Sequence, residues 1–131
     1  TLKLPAQGQG RQEYEVEAPD IATALPELGR LCPAPELPLL LRQGLQPVCG
    51  ARFTRIAKTL VLPDCTVELA LDRGILLGGG RELPLCEVEV ELKSGSDAAA
   101  VAFAQKLAKD LGLTPETRSK YRRALALARG E

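Results

Sequence analysis

The chain has 131 residues, enough for one domain with a core of its own, and carries 17 basic and 17 acidic residues with no His, Met or Trp. A zero net charge argues against nucleic acid as a partner. The absence of His excludes, within this chain, a Ser-His-Asp triad, a Cys-His dyad and His-bound zinc. Hydrophobic residues at 45% and charged residues at 26% describe a globular chain. Cys32, Cys49, Cys65 and Cys86 show no C-x-x-C spacing, which argues against zinc and a thioredoxin-like motif, and Cys65 and Cys86 lie in or beside apolar runs. A reducing, cytoplasmic location is the expectation. No apolar run nears the ~20 residues of a membrane span and no signal peptide is visible, so no membrane is expected as a partner.

In chain order, residues 1–4 read as the end of a strand, Gly8 and Gly10 as a loop, and 11–17 as a strand of period two. Pro19-Asp20 ends it and caps a helix over 21–31. Pro33, Pro35 and Pro38 break the chain before a short helix over 39–44. Strands are predicted over 52–62 and 65–72, then a long loop holding Gly74 and Gly78-Gly79-Gly80, then the most strongly alternating strand, 85–93. A helix over 97–111 takes Ser96 or Asp97 as its N-cap and Gly112 as its stop. A last helix covers 119–128. Strands joined by tight turns imply an antiparallel sheet with helices outside it.

Side chains alternate faces along a strand. Thr66, Glu68, Ala70 and Asp72 therefore share a face opposite Val67, Leu69 and Leu71. Glu87, Glu89 and Glu91 share one opposite Val88, Val90 and Leu92, and Arg11, Glu13, Glu15 and Glu17 one opposite Tyr14 and Val16. Two readings stand. Either the charged faces are merely solvated, or they line a wet channel in which carboxylates hold divalent cations and Lys and Arg hold phosphates. Carboxylates two residues apart on one strand repel one another unless cations compensate, which favours the second.

The order of motifs carries a family resemblance. V-E-L-A-L-D-R-G at 67–74, P-L-C-E-V-E-V-E-L-K-S-G at 84–95, an amphipathic helix and then S-K at 119–120 resemble the CYTH domain of the triphosphate tunnel metalloenzymes, in particular its bacterial inorganic triphosphatase branch. T-L-K at 1–3 and R-Q-E-Y-E-V at 11–16 resemble the preceding strand pair. The resemblance implies an α+β fold built on a closed antiparallel β-barrel whose tunnel binds a triphosphate and divalent metal. It implies phosphate contacts from Lys3, Arg55, Lys120 and Arg11, and Mg2+ or Mn2+ ligation by Asp72, Glu87 and Glu89. Glu13 also matches, Glu68 shares the face of Asp72, and Glu91 shares that face at the tunnel rim. The family's N-terminal E-x-E-x-K strand and following R-x-R are absent. Residues 1–131 thus read as a partial CYTH domain with an incomplete barrel, inactive or nearly so alone, beside an adjacent domain in a longer protein. Exposed strand edges would favour homodimers.

The resemblance implies hydrolysis of inorganic triphosphate to pyrophosphate and phosphate, by positioning and charge neutralisation. The alternatives are a class IV adenylate cyclase acting on ATP, for which Tyr14, Tyr121, Phe53 and Phe103 offer no clear base platform, and a non-catalytic polyphosphate-binding module.

Overall fold

Period-two alternation becomes, in the computed structural model of the chain, antiparallel sheet. The structure describes residues 2–5 and 11–131, so Thr1 and the Gly8–Gly10 loop expectation lie outside the described residues. The chain divides into two compact units, 1–46 and 47–131. In the first, β1 (Leu2–Pro5) pairs with β2 (Arg11–Tyr14), and helices α1 (Ile21–Leu31) and α2 (Leu37–Arg42) follow. Asp20 caps α1, its side chain accepting from the Thr23 N–H at 2.8 Å. The strand expected over 11–17 stops at Tyr14.

The second unit is a meander of three long strands, β3 (Cys49–Val61), β4 (Cys65–Gly78) and β5 (Arg81–Gly95), in the order β3-β4-β5, followed by α3 (Asp97–Leu111) and α4 (Lys120–Arg129). The expected long loop over 74–80 is instead strand and tight turn. Gly79 and Gly80, at φ 58° and 73°, form the whole two-residue connection between β4 and β5. Positive φ at both central positions is what a hairpin turn matched to strand twist requires. Gly74 lies mid-strand opposite Phe53, where a Cβ would come within 2.7 Å of the Phe53 Cβ. These glycines serve close approach, whereas composition alone reads them as loop.

The register defines the faces, because residues directly opposite one another project to the same side. Arg55, Asp72 and Glu87 form one row, Ala57, Ala70 and Glu89 the next, and Thr59, Glu68 and Glu91 the third. On the other face α3 packs Ala100 against Cys65 and Val67, with Leu60, Val90, Leu92 and Phe103 around them. Ser96 caps α3 by accepting from the Ala99 N–H at 3.1 Å, and Gly112 ends it at φ 65°. Leu71 and Val88 line an apolar groove on this face with Leu107 and Leu111 of α3.

Helix α3 thus packs on the apolar face, whereas α4 packs on the face that carries Asp72. Ala124 of α4 is buried with Leu76 and Leu85, beside Cys49 and Leu127, and Leu76 sits on the face of Asp72, four residues along β4. Apolar residues at the turn end of that face give α4 its seat. Gly78 allows the approach, since a Cβ there would meet the Ala124 carbonyl oxygen at 2.5 Å and the Ala128 nitrogen at 2.7 Å. Gly78→Ala should therefore lift α4 and destabilise the chain by about 2 kcal/mol, the usual cost of overpacking. Gly50→Ala, where a Cβ meets nothing within 4 Å, should be near neutral. Parallel urea titrations check the contrast. No described helix is long and apolar enough to cross a membrane.

Candidate metal and phosphate site

Period two on β4 and β5, together with the pairing of Asp72 with Glu87, brings three carboxylates to one place. Asp72, Glu87 and Glu89 each offer an oxygen within 4.8 Å of the others. Asp72 is fully buried and Glu87 mostly so, whereas Glu89 reaches solvent with 45% of its side chain exposed.

Cations from two elements compensate them. Arg55 of β3 grips Asp72 with two parallel bonds, Nε to Oδ1 at 2.6 Å and Nη2 to Oδ2 at 2.7 Å, and Nη2 also donates to Glu89 at 3.0 Å. Lys120, in the first turn of α4, places its ammonium 2.7 Å from Asp72 Oδ2 and 2.6 Å from Glu87 Oε1, and also contacts Glu89 Oε1. Ser119 caps the helix that carries it, accepting from the Arg122 N–H at 3.1 Å. Arg123 donates to Glu87 Oε2 at 2.6 Å and to the Ser119 carbonyl at 3.3 Å. Phe53 lies beside the cluster, its ring centre 5.0 Å from the Lys120 nitrogen and 5.5 Å from the Arg55 guanidinium carbon.

The charges shift one another. Hydrogen bonds from Arg55 hold Asp72 down to about 2 against its burial, with Lys120 adding to the effect. Burial raises Glu87, but Lys120 and Arg123 outweigh it and the net shift is downward. Burial pushes Lys120 down, and its three carboxylate partners more than reverse that. Because Asp72 falls from 3.8 in the unfolded chain to about 2 when folded, its contribution is fully present above pH ~4 and is lost as pH drops toward ~2. Acid titration of stability should show a loss of about 2 kcal/mol from Asp72 across that interval, flattened in Asp72→Asn.

The donor set suits a hard divalent cation, which takes carboxylate oxygen. One observation beyond composition supports the fit. Glu87 Oε1 is buried and has no well-directed hydrogen bond, although the Lys120 ammonium stands beside it.

The other residues singled out from the sequence fall elsewhere. Glu68 and Glu91 face one another one row beyond Glu89, and Lys93 holds Glu91 at 3.2 Å. Lys3 and Glu13 are opposite one another in the first unit, 3.6 Å apart and half exposed. Arg11 stands opposite Pro5, and its side chain lies outside the described residues. Arg123 escaped the sequence reading. The signal was its spacing of three from Lys120, which puts both on one side of a helix.

The chain is 30% identical over 138 residues to an inorganic triphosphatase of Haemophilus influenzae, an alignment covering 97% of the chain and 37% of that relative. The chain thus spans little more than a third of the length of this curated relative. No solved structure matches it. The CYTH domain matches residues 1–125, and the chain belongs to the CYTH domain family.

Proposed function

We propose that the chain forms part of a metal-dependent phosphohydrolase that cleaves inorganic triphosphate to pyrophosphate and phosphate. The observation that carries this reading is the convergence of Asp72, Glu87 and Glu89 among Arg55, Lys120 and Arg123 on one sheet face. The similarity to an inorganic triphosphatase supports the substrate class. In this proposal the three carboxylates hold Mg2+ or Mn2+, and Arg55 and Lys120 contact phosphate oxygens together with Lys3 and Arg11. Glu13, Glu68 and Glu91 set the surrounding charge. When bound, the divalent ion supplies charge neutralisation on the phosphates. Arg55 is fixed by Asp72 before substrate arrives, so its guanidinium costs little to orient. Arg123 keeps Glu87 ionised and aimed.

The 131 residues supply part of the site in this reading, and strands of a longer protein, including the family's E-x-E-x-K strand, close the barrel into a tunnel. A cytosolic location fits four free cysteines. Homodimers, through strand edges, and an adjacent domain belong to the same proposal. Inorganic triphosphate is favoured over a nucleotide because Phe53, the aromatic ring at the cluster, is already engaged by two cations. The test is phosphate release from triphosphate and from ATP, with cyclic AMP measured in parallel, by the longer protein in Mg2+, Mn2+ and chelator. Metal-dependent release from triphosphate is expected; cyclic AMP as the main product, or full activity in chelator, overturns the proposal.

A further inference from the structure

The Lys120 ammonium sits among the three carboxylates that would ligate a divalent ion. Its nitrogen is 2.7 Å from Asp72 Oδ2 and 2.6 Å from Glu87 Oε1, and it touches Glu89 Oε1 as well. A lysine carries one compact charge, and here three carboxylates share it. The remaining cations hold other positions. Arg55 spans both oxygens of Asp72, and Arg123 holds Glu87 through Oε2, leaving Oε1 to Lys120. Three carboxylates are thus balanced by three cations without any metal. A divalent ion on the same oxygens would lie within a few ångströms of the ammonium, and two cations that close repel strongly in a half-buried site.

We propose that Lys120 is the resident counter-cation of the carboxylate cluster, and that a divalent ion enters by exchange with it rather than by addition. This inference rests on the metal-binding reading above. The four-carbon stem of Lys120 is anchored in the first turn of α4, so the head can leave without the helix moving. A phosphate oxygen arriving beside the ion offers the displaced ammonium a new partner, so exchange ties occupancy by metal to occupancy by the anion. Lys120 then serves the metal-free and the loaded site in turn: it neutralises the carboxylates before the ion arrives and is released toward the anion after.

The test is Mn2+ binding by calorimetry, without substrate, to the wild-type chain and to Lys120→Met, which keeps most of the side-chain volume and removes the charge. Exchange predicts that Lys120→Met binds Mn2+ about tenfold more tightly or better, because the ion no longer competes with an ammonium. A wild-type chain that binds Mn2+ as tightly as Lys120→Met, or more tightly, overturns the exchange and leaves the metal site standing. Failure of both proteins to bind Mn2+, with or without triphosphate, overturns the metal reading and the exchange together. A second measurement needs no variant. The side-chain ammonium resonance of Lys120 in 15N-lysine-labelled wild type should move in step with Mg2+ saturation followed by calorimetry. An unmoved resonance at full saturation also overturns the exchange.

Discussion

If the proposed function holds, Glu87→Gln and Glu89→Gln in the longer protein are each expected to lower triphosphate turnover by at least about a hundredfold, since even an outer partner of a metal ligand costs 10–100-fold. Glutamine preserves the volume and one oxygen but removes the charge that a hard cation and its neighbouring lysine require. The two variants should separate in stability. Glu87 is the hydrogen-bonded partner of Arg123, whose side chain is only 14% exposed, so Glu87→Gln leaves that shielded guanidinium with only the more distant Glu116, at 3.5 Å, as counter-charge. Loss of about 1–3 kcal/mol is expected there. Glu89 has a side chain 45% exposed and shares its cations with Asp72, so Glu89→Gln should stay within about 0.5 kcal/mol of wild type. Assays across Mg2+ and Mn2+ concentrations, with melting curves on the same preparations, check both parts. Undiminished turnover in either variant, or wild-type turnover in chelator, would sink the ligand assignment.

Asp72→Asn should be the most damaging to stability of the three carboxylate-to-amide changes. Asp72 is wholly buried and takes two charge-assisted bonds from Arg55 and an ion pair from Lys120. Removing its charge leaves two cations facing an uncharged amide whose NH2 group cannot accept either of them. Breaking a buried pair from one side costs 3–5 kcal/mol in general, and the partial exposure of Arg55 brings the expectation to about 2–3 kcal/mol. The partner change is the diagnostic one. Arg55→Met with Asp72→Asn removes the mismatch, so the double variant should regain much of the lost stability while remaining inactive. Chemical denaturation of the single and double variants, set beside their turnover, measures the coupling. Additive stability losses would show that the pair contributes nothing beyond its separate members.

Much of this site is legible locally. Alternation over 87–92 places Glu87 and Glu89 on one side of a strand, and the same period places Asp72 on the side of Glu68. Two-residue periodicity is a property of the backbone itself, so it needs no knowledge of distant partners. Helix α3 announces itself in the same way, through Ser96 and Gly112. The glycine-rich stretch misleads because composition records flexibility and not its use. Gly74 and Gly78 are placed for close contact with Phe53 and with α4, and only the turn at Gly79 and Gly80 is a connection.

The amino-acid order alone determined the family, the order of the elements from 49 onward and the common face of the acidic residues. The tertiary structure alone decided the register that sets Arg55, Asp72 and Glu87 in one row. It also decided the docking of α4 on the carboxylate face and the triple contact of Lys120. The reason is physical. A strand's faces follow from local backbone geometry, but which residue stands opposite which depends on turn length, and where a helix lands depends on the space that Gly78 leaves beneath Ala124 and Ala128.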